Sequence, residues 1–338
     1  MIYFLGFLGY SQTITGIVLD AKTQKPIETA VVYFDNTTKG TITNAEGHFS
    51  IDYSEAIQSP LVISFLGYEK QLITDYRTQN SYTIYLEESH EQLDEVLINT
   101  NDGLAREEKL KVFRKEFLGT SKFGRSCEIL NEDALIIRYL KKERKLVAHA
   151  SAPLQIENRA LQYKITYELN TFWAEFTNVN PKRNGFEVKS IGFRGNPFYQ
   201  NISNFDGKKA RKSRKKAFEG SILHFMRALY AGRLKKENFR LYQKSIELNP
   251  DTIFNSKFFN DTAIKKMSPE KEKPVTVVFK YKQASSIQIL APYFLLDIYG
   301  NYSEVENIIF SGHMGSRRFG DLLPLDYGFE FLNLKKKK

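Results

Sequence analysis

The sequence holds one cysteine, Cys127, and one tryptophan in 338 residues. A single thiol excludes an intramolecular disulfide and any zinc site built from several cysteines. No apolar run approaches the roughly 18–20 residues that carry a helix across a bilayer. Histidine is scarce as well. None of His48, His90, His149, His224 and His313 has Glu three residues on, and no H-E-x-x-H pattern occurs. The ligand spacing of a zinc peptidase is therefore missing. No G-x-S-x-G elbow is present to hold a serine nucleophile on a strand–helix turn. No cofactor motif survives the same scrutiny.

What is present is core-forming material. The chain is 42% hydrophobic and 26% charged, with 26 Phe and 19 Tyr, a globular composition that leans toward strands. The length fits two domains of about 100–200 residues, each large enough to fold without disulfides. The chain opens on M-I-Y-F-L-G-F-L-G-Y-S-Q, an apolar run without charge. Gly9 and Ser11 fit the −3 and −1 sites of signal-peptidase cleavage, which makes 1–11 an expected export segment and Gln12 the mature terminus. A basic n-region is missing, which a start codon assigned a few residues late explains. A buried N-terminal strand is the alternative. No cysteine follows the segment to carry a lipoprotein anchor.

The net charge of +10 is unevenly spread. Residues 13–100 carry 5 basic and 13 acidic side chains, net −8, whereas 101–338 carry 44 and 26, net +18. Such asymmetry marks two units with different surfaces. Alternating or β-branched runs at 13–19, 29–34, 48–53, 61–65 and 82–86, separated by turn residues, predict an antiparallel sandwich over 12–100. Gly47 is expected at positive φ, where Asn44-Ala45-Glu46-Gly47 reverses the chain.

These residues carry a resemblance. I-T-G-I-V-L-D (14–20), K-P-I-E-T-A-V-V (25–32), T-N-A-E-G-H-F-S-I (43–51), I-S-F-L-G-Y-E (63–69) and the closing L-x-E-V (93–96) resemble a carboxypeptidase-regulatory-like domain. The version is similar to that of Bacteroidota envelope proteins, where it precedes the plug of TonB-dependent receptors. The resemblance implies a transthyretin-like, seven-stranded Greek-key sandwich with an accessory role and no catalytic residues. The chain departs from the receptors after Val96, since no plug or series of barrel strands follows.

Residues 101–334 read as a larger α+β domain, mostly β, with one or two helices covering a sheet. Helical spacing appears at 104–117, stopping near Gly119, and at 217–231. Strand patterns appear at 134–140, 145–150, 162–179, 186–193, 239–244, 276–281, 287–290 and 308–311. Segments such as 153–158, 218–229, 297–302 and 322–327 resemble the companion domain of the same Bacteroidota proteins, for which the resemblance implies no activity. Overall the chain is expected to be mainly β.

Candidate chemistry is thin. Gly119-Thr-Ser-Lys-Phe-Gly-Arg-Ser126 is one residue from a P-loop, but Arg125 stands where the phosphate-reaching Lys belongs and a helix precedes it. It reads as a helix C-cap and loop. Cys127 with His149 would need the fold to join them. Asp297 with Glu304 or Glu306 would suit sugar hydrolysis only at the right separation. His313 and Arg317-Arg318 read as a polar turn, with anion binding as the alternative.

The densest feature is Lys208, Lys209, Arg211, Lys212, Arg214, Lys215 and Lys216, seven basic residues in nine. Such a run neutralises phosphates, yet no aromatic is interleaved for base stacking. It is expected to be a solvated loop leading into the 217–231 helix. Residues 335–338 form a similar basic tail. The leading expectation is a non-enzymatic envelope protein. Its basic second domain would bind a partner, a glycan or a lipid head group at the periplasmic or outer-membrane surface. An enzyme acting on glycans or peptides, and a cytosolic nucleic-acid binder using the 208–216 run, are the alternatives. The lack of interleaved aromatics makes nucleic acid the weaker of the two.

Overall fold

The computed structural model describes residues 11–54, 57–89, 102–180, 185–259, 262–269 and 274–329. Residues 1–10 of the expected export segment, the 93–96 close and the 335–338 tail lie outside the described residues. The chain divides into two compact units, Met1–Thr100 with Pro197–Tyr199, and Asn101–Asn196 with Gln200–Lys338. Strands dominate, at 45% against 18% helix.

The first unit contains β1 (Ser11–Asp20), β2 (Val31–Phe34), β3 (Gly40–Ile42), β4 (His48–Ser54), β5 (Leu61–Ser64), β6 (Gln71–Ile73) and β7 (Ser81–Leu86). They form two sheets, ordered β4-β1-β7 and β3-β2-β5-β6. Five of these strands match the sequence patterns. The two that escaped, β3 and β6, are three-residue edge strands too short to alternate visibly. Ile14, Val18, Val32, Leu61, Ile63, Ile84 and Leu86 are buried as the core. Gly47 sits at φ +75°, and a Cβ there would lie 2.6 Å from the Val18 carbonyl oxygen, so only glycine fits this turn.

The second unit opens with α1 (Arg106–Phe113), which widens into a π-helical turn at Arg114–Leu118 and ends at Gly119. Six strands follow: β8 (Cys127–Ile129), β9 (Leu135–Leu140), β10 (Lys145–Ala150), β11 (Leu154–Asn158), β12 (Tyr163–Asn180) and β13 (Gly185–Asn201). The order is β8-β11-β12-β10-β9, with β13 also paired to β12. The 18-residue β12 is one strand that serves two partners. Residues 163–167 pair with β11 and residues 172–175 with β10. The buried positions are odd-numbered from Tyr163 to Leu169 and even-numbered from Phe172 to Phe176. The burial phase slips by one residue where the partner changes. Phe117 packs among Phe113, Tyr167, Phe172, Phe193 and Phe319 to close this part of the core.

Two helices, α2 (Gly207–Phe218) and α3 (Ile222–Tyr230), come next. The basic run at 208–216 is therefore helix, not the loop expected. The predicted helix over 217–231 is in fact the end of α2 and all of α3, broken at Gly220 with φ +69°. The remaining strands are β14 (Phe239–Gln243), β15 (Ile246–Leu248), β16 (Phe254–Phe258), β17 (Lys265–Pro269), β18 (Val275–Phe279), β19 (Gln283–Ile289), β20 (Phe294–Leu296) and β21 (Ile308–Ser311). They form a five-stranded sheet, β15-β14-β18-β19-β21, and a three-stranded one, β16-β17-β20. Phe225, Met226 and Leu229 of α3 bury against Phe239, Val277, Phe279 and Phe294, so α3 covers this second core.

Candidate functional site

α2 exists because its start is capped and one stripe can be buried. The Asp206 carboxylate accepts the Lys208 and Lys209 backbone N–H groups at 2.9 and 3.0 Å, satisfying two donors that a helix start leaves orphaned. Those amides, Lys209 first, hold the Asp206 carboxyl below its usual range. Ala210, Arg214 and Ala217 are buried at i, i+4 and i+7, one stripe of the helix.

Arg214 therefore does not belong with the exposed cations. Its side chain donates to the carbonyls of Leu161 at 2.9 Å and Gln162 at 3.0 Å, and to Asn201 Oδ1 at 2.7 Å. The guanidinium also lies over the Tyr163 ring. It anchors α2 to the start of β12 and the end of β13 and is withdrawn from any ligand. The other six members of the run, Lys208, Lys209, Arg211, Lys212, Lys215 and Lys216, are all exposed. At 3.6 residues per turn they fall on the face opposite the buried stripe, along about 14 Å of helix. None forms an ion pair within 4 Å among the described residues.

That face is electrostatically costly. Lys208/Lys212, Arg211/Lys215 and Lys212/Lys216 stand at i,i+4, and Lys208/Arg211, Lys209/Lys212 and Lys212/Lys215 at i,i+3. Like-charge pairs at these spacings cost about 0.2–0.5 kcal/mol each, so about 1–3 kcal/mol together at low salt. The C-terminal end is eased from elsewhere. Arg317 donates to the carbonyl of Glu219 at 2.8 Å and to that of Ala217, meeting the negative end of the helix dipole. Arg317 thus acts as a cap of α2; burial pushes its guanidinium down from its ordinary range.

The remaining candidates do not assemble. Cys127 is in register with Asn158, and Asn158 with Tyr163, whereas Ala148, beside His149, is in register with Phe172. Nine residues of β12 separate those points, on the order of 30 Å. Burial also pushes the Cys127 thiol up to about 12. Asp297 is buried and accepts the Asn301 N–H at 3.0 Å, whereas Glu304 and Glu306 are exposed and bonded to Asn307 and Arg194. They share no site.

One residue that no motif flagged is held by several backbone carbonyls. Arg227 of α3 donates to three carbonyls, Tyr299 at 2.9 Å, Tyr327 at 2.7 Å and Leu325 at 2.5 Å. It ties two distant turns to one helix. Burial pulls its guanidinium down to about 10, and burial pushes neighbouring Asp297 up to about 7. An arginine inside an apolar helix face (I-L-H-F-M-R-A-L-Y) was the available signal, since such a group must find acceptors.

Residues 14–98 match the family model of the CarboxypepD_reg-like domain, so this part of the chain is a carboxypeptidase-regulatory-like β-sandwich. No curated protein matches the chain. Among solved structures, a type II cohesin–X–dockerin complex from Acetivibrio cellulolyticus aligns at 20% identity and TM-score 0.18, over 22% of this chain and 51% of that one. A 9R-lipoxygenase from Cyanothece aligns at 12% identity and TM-score 0.18, over 68% of this chain and 49% of that one. In both cases about half of the other chain is spanned. At those scores neither likeness bears on the fold or the function of this chain.

Proposed function

We propose that this is a non-enzymatic binding protein of the cell envelope. In this reading the sandwich is an accessory module and the second unit docks on a phosphate-bearing lipid surface through the basic face of α2. The observation that carries the reading is the segregation within one run. Six cations share one exposed face without an ion pair among the described residues, while the seventh, Arg214, is buried as their anchor.

Two arguments support a lipid surface. The like-charge repulsion along the face is relieved by any dense layer of anions, and each Lys or Arg near an anionic membrane is worth about 1 kcal/mol. The face also carries no aromatic side chain to stack on a base, which removes the sequence-tolerant contribution to single-strand binding. No helix among the described residues is long and apolar enough to cross a membrane, so attachment of this kind would be peripheral.

Co-sedimentation with vesicles of phosphatidylglycerol in phosphatidylcholine tests the docking. The wild-type protein should pellet with them, release steeply with salt, and ignore pure phosphatidylcholine. A variant with Lys208, Lys212, Lys215 and Lys216 changed to Gln should stay in solution. Equal binding by the two proteins, or preference for single-stranded nucleic acid over vesicles, overturns the reading. Cell fractionation with N-terminal sequencing tests export: mature protein beginning at Gln12 supports it, and cytosolic protein retaining Met1 overturns it.

A further inference from the structure

Two short segments that the sequence left as unconnected turns meet in one place. Gly119, Thr120 and Ser121, following the π-helical turn, line an open cleft of about 470 Å³ together with Ser316, Arg318 and Asp321. Lys115 and Glu116 form another part of the wall, and Phe186 and Val188 of β13 supply an apolar one. The size falls within the range of small-molecule sites. The close approach depends on Gly119, which sits at φ +94°, and a Cβ there would come within 2.8 Å of the Arg318 Cβ.

The polar groups of the cleft are incompletely used. Glu116 is only 6% exposed. Its carboxylate has one ionic partner, the Lys115 ammonium at 3.0 Å, and accepts no hydrogen bond among the described residues. A buried carboxylate normally has several donors. Arg318 donates through Nη1 to the carbonyls of Gly315 at 2.9 Å and Arg317 at 3.2 Å. Its Nε and Nη2 donate to nothing among the described residues. Ser121 Oγ already accepts the N–H groups of Phe123 and Gly124 at 3.1 and 3.0 Å, so its own hydrogen is left to give. Asp321 accepts the Arg318 backbone N–H at 3.1 Å, which leaves its other oxygen without a hydrogen bond among the described residues.

We propose that this cleft binds a small zwitterion of the α-amino-acid type. The ligand's ammonium meets Glu116 and Asp321, its carboxylate meets Arg318 and the Ser121 hydroxyl, and its apolar side chain lies on Phe186 and Val188. A plain anion fits less well, because the cations Arg318 and Lys115 are matched in the same cleft by two carboxylates, Glu116 and Asp321. A plain cation leaves the free edge of the guanidinium unpaired. Only a ligand with both charges completes both sides. The site is separate from the α2 face and does not depend on membrane docking.

Isothermal titration of the full chain with L-leucine and L-phenylalanine tests the proposal. N-acetyl-leucine, which lacks the ammonium, leucinamide, which lacks the carboxylate, and inorganic phosphate serve as comparison probes. At least one amino acid should bind, and each comparison probe should bind at least tenfold more weakly. Arg318→Gln and Glu116→Gln should each weaken binding at least tenfold, whereas Lys212→Gln should leave it unchanged. Should Glu116→Gln fail to fold, the leucinamide and N-acetyl-leucine comparisons on the wild-type chain still decide the matter. Phosphate or N-acetyl-leucine binding as tightly as leucine, or no heat from either amino acid up to about 10 mM, overturns the proposal.

Discussion

The guanidinium carbon of Arg214 lies 3.6 Å from the centroid of the Tyr163 ring, face on to it. Its sequence neighbours Lys212, Lys215 and Lys216 point into solvent. The basic residues of one run thus serve two purposes, set by the 100° turn of the helix at each step.

Arg214→Ala should cost about 2–4 kcal/mol in urea unfolding, because it strands the Leu161 carbonyl, leaves the Gln162 carbonyl with only the Ile202 N–H, and removes the stacked guanidinium. Arg214→Lys should recover little, since an ammonium lacks the planar fork that reaches both carbonyls while stacking on the Tyr163 ring. Lys212→Ala should stay within about 0.5 kcal/mol of wild type. Equal effects at 212 and 214 would mean that the buried stripe has been misplaced.

Neutralising the basic face should stabilise the protein. With Lys208, Lys212, Lys215 and Lys216 changed to Gln, the melting temperature at low ionic strength should rise, because the repulsive spacings of α2 are removed. The gain should vanish near 0.5 M salt, where the Debye length falls to about 4 Å. A salt-independent change would point to helix propensity rather than charge.

Asp297 makes stability fall as pH rises. Burial holds its carboxyl at about 7 in the folded state, against 3.8 when unfolded. The group therefore favours the folded protein fully below about pH 4 and loses that contribution as pH climbs through about 7. Asp297→Asn should remove the dependence. At pH 8 the variant should be more stable by on the order of 2–4 kcal/mol, and near pH 4 about equal to wild type. Denaturant unfolding across that range measures the difference.

Asp20 has the opposite sign. The Tyr68 hydroxyl donates to its carboxylate at 2.7 Å, and that bond, with the Thr23 and Lys22 amides, holds the carboxyl down to about 2. Its contribution is present above the unfolded value of 3.8 and is lost as pH falls through about 2. Tyr68→Phe should move the Asp20 titration upward, which carbon-detected NMR of the side-chain carboxyl would follow.

Cys127 should be inert. Burial lifts its thiol to about 12, so almost no thiolate exists at neutral pH. Alkylation by iodoacetamide should be slow in the native protein and rise sharply across the unfolding transition. Prompt labelling without denaturant would contradict the burial.

The sandwich was legible because its signals are local. Alternation, turn residues and a required positive φ at Gly47 all act within a few residues, and they placed five of seven strands. The second unit was legible in part. The strand over 163–180 was visible as a long run, but not that it would change partners between Leu169 and Phe172. Nor did the run at 208–216 reveal a helix. Its exposed residues are all polar, and the stripe that makes it fold is two alanines and an arginine.

The sequence by itself determined the mainly β class, the carboxypeptidase-regulatory-like sandwich, the charge imbalance between the two halves and the absence of zinc-peptidase and serine-hydrolase motifs. Those follow from composition and short-range pattern, which need no knowledge of distant partners. Only the tertiary structure decided that Arg214 and Arg317 serve α2 and that Arg227 holds two turns from within α3. The same holds for the meeting of the 119–121 turn with Arg318. In each case a charged group took its acceptors or its neighbours from residues dozens to more than a hundred positions away. Burial compels a polar group to find a partner, but the fold alone determines which partner is within reach.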